Sequence, residues 1–97
     1  MWRNAEQSAE MRSSMFESKY APLQVHLKNL SASSWKTSFD KIEEILGFTL
    51  PHSAYTYSAW WGNHVQNSRH TKAWMDIGWE VHDLDIHAQT LTFQRVS

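Results

Sequence analysis

The chain has 97 residues, enough for one domain with a single hydrophobic core. Its composition is 41% hydrophobic and 13% aromatic, which argues against a disordered chain. The formal net charge of −1 is near neutral, so the total charge does not indicate a partner and only local charge asymmetry is informative. Because it contains no cysteine, disulfides, thiolate zinc sites and cysteine nucleophiles are excluded, and we expect a reducing compartment, the cytoplasm. No apolar run reaches about 18 residues and no signal-peptide core is visible, so we expect no membrane partner.

Residues 1–18 form a polar segment with scattered apolar side chains near helical spacing. An amphipathic helix and a frayed arm both fit this pattern. We therefore treat residues 1–18 as an N-terminal arm or extra helix, and residues 19–97 as a single α+β domain. If the arm is helical, we expect it to pack on the domain or on a second copy, which would give a homodimer.

Two helices are predicted before residue 47. The first spans Tyr20–Leu30, with Pro22 in its first turn and leucines at helical spacing. Ser31–Trp35 is a loop by composition. The second helix begins after Ser38, a good N-cap, and Gly47 supplies its C-terminal stop. Its apolar face consists of Phe39, Ile42, Ile45 and Leu46.

Two further helices are predicted before Trp79, where helical spacing of the apolar residues gives way to alternation. Ser53 caps a helix from Ala54 to Trp61, and Gly62-Asn63 ends it. Together with the preceding helix, this segment resembles a helix-turn-helix, although the segment between the two helices is longer than in the tight form of that motif. Its outward positions would include Tyr55, Thr56 and Ser58. Residues 64–68 read as a loop, and residues 70–77 as a short helix stopped by Gly78.

The last 19 residues alternate apolar and polar side chains and predict a β-hairpin. One strand begins at Trp79, and an irregular step at His82-Asp83 indicates a bulge. The turn is His87–Gln89, and the second strand carries Leu91, Phe93 and Val96. The predicted fold is therefore α+β, with N-terminal helices followed by a C-terminal antiparallel hairpin, and it is winged-helix-like.

Several rare residues recur in an order that resembles a known family. The pattern is F-x-x-I-E-x-I-L-G-x-x-L-P-x-S-A (39–54), W-W-x-N (60–63), A-W-x-x-x-G-W (73–79) and T-F-x-R (92–95). It resembles a small bacterial domain family of unknown function over roughly Tyr20 to Val96. The resemblance implies a compact bacterial or phage domain, found alone or as an accessory to larger proteins. It implies no catalytic residue.

Catalytic and metal-binding motifs are not found. Serines and histidines are abundant, but no nucleophile elbow frames them. The late carboxylates lie near or on the hairpin, where alternation turns them to solvent: Asp76, Glu80, Asp83 and Asp85. The histidines at 64, 70, 82 and 87 match no zinc-binding spacing. We therefore expect a non-enzymatic protein with no catalytic residues, no metal site and no cofactor.

An acid-free window runs from His52 to Met75, although the chain is net negative. Basic, amide and aromatic groups without carboxylates suit contacts to phosphates and bases. We predict that double-stranded DNA contacts the loop region between Trp61 and Lys72. The predicted contact residues are Trp61, Asn63, His64, Gln66, Asn67, Arg69 and Lys72. Arg69 and Lys72 would meet phosphates, while Asn63 and His64 would approach base edges.

The alternative is a protein-interaction module, such as an inhibitor or accessory subunit in a phage defence or counter-defence system. Tryptophan, tyrosine and arginine are enriched at interface hot spots. Periodicity assigns Trp60, Trp74 and Trp79 to the core. Because adjacent residues of a helix face different ways, Trp61 is predicted to be exposed, as either a DNA contact or a protein anchor.

Overall fold

The computed structural model describes residues 18–63 and 69–96. In chain order its elements are α1 (Ala21–Lys28), β1 (Ser34–Ser38), α2 (Phe39–Leu46), α3 (His52–Thr56), a 3₁₀ helix (Ser58–Trp61), α4 (Arg69–Met75), β2 (Trp79–Asp85) and β3 (Thr90–Arg95). The fold is α+β and its last two strands form an antiparallel hairpin, which confirms the predicted class. Within these described ranges, no helix is long and apolar enough to span a membrane.

The sheet has three strands in the order β1-β3-β2, all antiparallel. Strand β1 pairs with β3, and Trp35 lies opposite Phe93. The prediction of a loop over Ser31–Trp35 is wrong in its second part, because Ser34 and Trp35 belong to β1. A five-residue strand in which four residues are polar carries little local sequence signal for a strand. Its partner β3 lies more than 50 residues away in sequence.

Helix α2 is the element that local sequence signals determine most fully. The Ser38 hydroxyl accepts a hydrogen bond of 3.1 Å from the Lys41 amide, which confirms the predicted N-cap. Gly47 has φ +85° at the C-terminus, a left-handed conformation that favours glycine. Phe39 and Ile42 are fully buried. The Ser38 N-cap and Gly47 therefore determine where this helix begins and ends, and its apolar face determines which side packs on the core.

The predicted helix from Ala54 to Trp61 is broken at Tyr57. Helix α3 begins at His52 and has Pro51 as its N-cap, so the prediction of a Ser53 cap is wrong. Tyr57 has φ −119° and ψ 120°, which is extended backbone, and the 3₁₀ helix starts at the next residue. This break changes the direction of the side chains that follow, so Trp61 points into the core while Tyr57 is 61% exposed.

The hairpin follows the prediction closely. Its pairing register shifts between His82 and Asp85, and Asp83 has φ +53°, which confirms the bulge. Leu91 and Phe93 are fully buried. Val96 does not continue their alternation, since it lies beyond β3 and is 54% exposed. The hairpin therefore packs one face on the helices, and the chain beyond β3 is exposed to solvent at Val96.

Helix α4 packs against α1 and β2 and closes the core from one side. It was predicted over residues 70–77 and is observed over 69–75, with Gly78 after it at φ +79°. Trp74 is buried on this helix, and Trp79 is buried at the start of β2, as predicted. The largest fully buried side chains are Trp61, Trp74, Trp79, Phe39 and Phe93.

Candidate nucleic-acid interface

Helix α4 presents one side to solvent, and that side is cationic. Arg69 and Lys72 are exposed and lie three residues apart, which places them on the same face. Thr71, Ala73 and Trp74 between and beyond them are buried. Within residues 18–63 and 69–96, no carboxylate forms an ion pair with either cation. Both charges are therefore available to an anionic partner.

Helix α1 forms a hydrogen bond to the backbone of α4. The Gln24 side-chain amide donates a hydrogen bond of 3.3 Å to the carbonyl of Lys72. The buried residues of α4 pack on α1 and β2, so the helix has support along its inner side. A contact surface on this helix would therefore lie on an element that is packed against the rest of the fold.

Trp61 was predicted to be an exposed contact, and this prediction is wrong. Its side chain is only 2% exposed, and its indole N–H donates a hydrogen bond of 2.8 Å to the carbonyl of Ala54. The ring stacks on Phe39 with centroids 4.8 Å apart. Trp60, which was assigned to the core, is instead half-buried. The break at Tyr57 exchanges the expected roles of these two tryptophans.

Asn63 was predicted to approach base edges, but its amide is already bound within the protein. Its Oδ1 accepts hydrogen bonds from the Val81 amide at 2.9 Å and from Trp74 Nε1 at 3.1 Å. Its Nδ2 donates to the Val81 carbonyl at 3.0 Å. Both backbone groups of Val81 on the outer edge of β2 are thus paired by one side chain. A free base-reading role for Asn63 is incompatible with these contacts.

His70 lies on α4 between the two cations and is half-buried. Its ring stacks parallel to that of Trp60, with centroids 3.7 Å apart, and its Nε2 donates to the Trp60 carbonyl at 2.6 Å. Burial lowers the pKa of His70, and the hydrogen bond to Trp60 opposes this shift. The imidazole is therefore neutral at pH 7 and adds no charge to the surface. It fixes α4 to the 3₁₀ helix instead.

Three of the predicted contact residues lie outside the described residues: His64, Gln66 and Asn67. Of the other predicted contacts, the structure brings Arg69 and Lys72 together, buries Trp61, and binds the half-buried Asn63 amide within the fold. Among the further outward candidates, Thr56 and Ser58 are exposed. Tyr57, which the sequence did not single out, is the most exposed aromatic side chain of this region, because the helix breaks there.

Glu43 fixes the segment between α2 and α3. Its Oε2 accepts a hydrogen bond of 2.8 Å from the Leu50 amide and another from the hydroxyl of Tyr55. The prediction that Tyr55 faces outward is therefore wrong, since its ring also packs edge-on against Phe39. Burial, the hydrogen bond to Glu43 and the negative charges of Glu43 and Asp40 raise the pKa of Tyr55 to about 12.

This raised pKa predicts a loss of stability at alkaline pH. Folding raises the pKa of Tyr55 from 10.0 to about 12, so its contribution is complete below pH 10 and is lost as the pH rises through about 12. Urea unfolding of wild type and Tyr55→Phe across this window should show a shallower pH dependence for the variant. Tyr57→Phe, at an exposed position, is the matched control. Equal slopes for Tyr55→Phe and wild type would contradict the assignment.

No group of three or more histidine, aspartate or glutamate side chains that could hold a metal ion occurs among the residues that the structure describes. His82 forms a pair with Glu80, with Nε2 3.0 Å from Oε1, on the outer face of the sheet. The expectations of no metal, no cofactor and no catalysis stay predictions.

A family model described as "Domain of unknown function (DUF7662)" matches residues 20–97. The chain belongs to this family. The match begins at Tyr20, directly before α1, and includes every helix and strand described above. Comparisons with curated proteins and with solved structures found no match.

Proposed function

We propose that this member of the DUF7662 family is a non-enzymatic binding module of bacterial or phage origin that holds double-stranded DNA with helix α4. The observation that carries the proposal is the cationic, solvent-facing side of α4 formed by Arg69 and Lys72. Both residues lie in the acid-free window from His52 to Met75. The proposal takes the cytoplasm as its site of action, where DNA is accessible and a chain without cysteine needs no oxidising compartment.

The order of the elements supports this choice of helix. The chain has a helix, a strand, further helices and a hairpin, with β1 beside β3, and this order is compatible with a winged helix. In a helix-turn-helix protein the second helix of the motif enters the major groove. We assign that role to α4, which directly precedes the hairpin, and not to the predicted helix Ala54–Trp61, which is broken at Tyr57. The exposed turn between β2 and β3 would be the wing.

The proposed contact is mainly electrostatic. Arg69 and Lys72 would bind phosphates on either side of a groove, because arginine and lysine are the usual phosphate ligands. Neutral His70 and inward-facing Asn63 would not read bases. Two phosphate contacts give weak binding with little sequence preference. The expected activity is therefore modest, non-specific duplex binding by one copy of the chain.

Replacing both cations of α4 should abolish this binding while leaving the fold intact. Arg69→Ala with Lys72→Ala removes two exposed charges and no buried contact, so near-UV circular dichroism should not change. Fluorescence anisotropy with a labelled duplex at low salt should show at least about tenfold weaker binding for the double variant.

Lys41→Ala is the matched control for that experiment. Lys41 is also exposed, but it lies on α2 and is paired with Glu44 at 2.9 Å. Its loss should leave duplex binding within about twofold of wild type. Equal losses for the control and the double variant would show that only total charge matters, and would contradict a site on α4.

The second candidate is a protein-interaction module, such as an inhibitor or accessory subunit in phage defence or counter-defence. The observation that favours it is Tyr57, which is 61% exposed next to half-buried Trp60. Exposed tyrosine is a common interface anchor. Trp61, by contrast, is too buried to be one. Absence of duplex binding at low salt would favour this candidate over the first.

A further inference from the structure

The two edge strands of the sheet differ in whether their outward backbone groups are hydrogen-bonded. Strand β2 forms one edge, and there the Asn63 amide pairs with both backbone groups of Val81, while the bulge at Asp83 bends the strand. Such devices stop an edge strand from pairing with another chain. Strand β1 forms the other edge: it is short and carries one charged residue, Lys36, but within the described residues no side chain pairs with its outward backbone groups.

The backbone groups of Ser34 and Lys36 point away from the sheet. The Arg95 amide donates to Ser33 at 2.8 Å, and the Phe39 amide donates to Gln89 at 2.9 Å. Hydrogen-bonded positions alternate along an antiparallel pair. The backbone N–H and C=O groups of residues 33, 35, 37 and 39 therefore point toward β3, whereas those of residues 34, 36 and 38 point away from the sheet. Both Ser34 and Lys36 are exposed, and neither backbone has a hydrogen-bond partner in the part of the chain that the structure describes.

An aromatic side chain stands at this open edge. On the inner face of the sheet, Val81, Phe93 and Trp35 lie opposite one another across the three strands. The rings of Trp35 and Phe93 are nearly parallel, at 16°, with centroids 6.0 Å apart. The Trp35 ring also packs against the ring of His26 on α1, with centroids 4.5 Å apart, yet Trp35 remains partly exposed. The row of apolar side chains therefore ends at a tryptophan that is not fully covered.

We propose that the β1 edge is the interface for a second copy of this chain, with the two β1 strands antiparallel about a two-fold axis at Trp35. The axis places Trp35 opposite Trp35 of the second copy, in a non-hydrogen-bonded pair where side chains approach most closely. It also places Ser34 opposite Lys36, so that their outward N–H and C=O groups pair with one another. The two sheets become one continuous sheet.

Charge selects this register over its neighbour. An axis at Lys36 would set lysine directly against lysine, which is unfavourable in a cross-strand pair. It would also draw in Ser38, whose side chain caps α2. The axis at Trp35 sets each lysine against a serine instead. This inference does not depend on DNA binding, and it uses an interface other than residues 1–18.

A proline at position 36 tests the edge without disturbing the sheet. The Lys36 N–H points away from β3, so Lys36→Pro removes a group that only a second copy would use. Lys36→Ala removes the same side chain and keeps the N–H, which makes it the matched control. Sedimentation equilibrium of the full chain should show reversible dimers for wild type and Lys36→Ala. The proline variant should dimerise at least about tenfold more weakly.

The register is tested by cross-linking, because the chain contains no native cysteine. Ser34→Cys and Lys36→Cys should each form little disulfide alone, but should form a mixed disulfide dimer when combined, since position 34 of one copy lies opposite position 36 of the other. This measurement decides the matter even if the proline variant fails to fold. A wild type that stays monomeric at high micromolar concentration, equal dimerisation of the proline and alanine variants, or no preference for the mixed disulfide would each overturn the proposal.

Discussion

Replacing Trp61 by alanine should lower the free energy of unfolding by about 3–5 kcal/mol, the usual cost of truncating a large buried aromatic side chain. The ring is 2% exposed, it stacks on Phe39, and its N–H is bound to the Ala54 carbonyl. A domain of this size is stabilised by only about 5–15 kcal/mol. Urea unfolding followed by tryptophan fluorescence should therefore show a large shift of the midpoint, with the variant close to unfolding at room temperature.

Trp60→Ala is the matched control, because it removes the same side chain from the neighbouring position. Trp60 is half-buried and covered on one face by His70, so its loss should cost clearly less than the loss of Trp61. The sequence predicts the opposite order, with Trp60 in the core and Trp61 at the surface. A larger loss for Trp60→Ala would contradict the structure.

Replacing Asn63 by alanine should cost about 2–3 kcal/mol, although the residue is polar and only half-buried. Three groups lose their partner at once: the Trp74 indole N–H, the Val81 amide and the Val81 carbonyl. An interior donor or acceptor left unpaired costs about 1–3 kcal/mol, and water reaches the edge of β2 to offset part of this. The change should appear as a lower urea midpoint, and as a tendency to aggregate through the unblocked edge.

Two variants calibrate this result. Asn63→Asp keeps an acceptor for the two donors but sets its second carboxylate oxygen against the Val81 carbonyl oxygen, so it should also lower the stability of the fold. Asn29→Ala removes the same amide from an exposed position and should change stability by less than about 0.5 kcal/mol. Equal effects of Asn63→Ala and Asn29→Ala would show that the Asn63 amide is free, and would return it to the proposed DNA surface.

The parts of the fold that the sequence predicted are those determined by neighbouring residues. Ser38 and Gly47 mark the ends of α2, and both marks act within a single helical turn. The hairpin and its bulge were predictable because alternation, and its interruption at His82-Asp83, can be read along one strand. These signals need no knowledge of the rest of the chain.

The parts that the sequence did not predict depend on contacts between distant residues. Strand β1 forms because β3 pairs with it, and five residues of mixed polarity do not predict that pairing. The roles of Trp60 and Trp61 depend on one extended residue, Tyr57, within a segment of helical composition. Asn63 is used by residues 11 and 18 positions further along the chain. The sequence does not distinguish an asparagine whose side-chain amide is hydrogen-bonded within the fold from one whose amide is free.

For the candidate site, the structure leaves only part of the predicted contact surface exposed. Arg69 and Lys72 could be predicted as surface charges, because long cationic side chains are rarely buried. Which side of α4 they occupy, and that His70 between them is neutral and stacked on Trp60, followed only from the packing. The predicted surface therefore becomes smaller and more purely electrostatic.

The salt dependence of duplex binding tests the proposed function most directly. If α4 contacts phosphates through Arg69 and Lys72, the logarithm of the binding constant should fall with the logarithm of the salt concentration with a slope of about −2 per copy. The double variant Arg69→Ala with Lys72→Ala should bring that slope close to zero, and Lys41→Ala should leave it unchanged. No binding to duplex DNA at low salt, or the same slope in wild type and the double variant, would contradict the proposal.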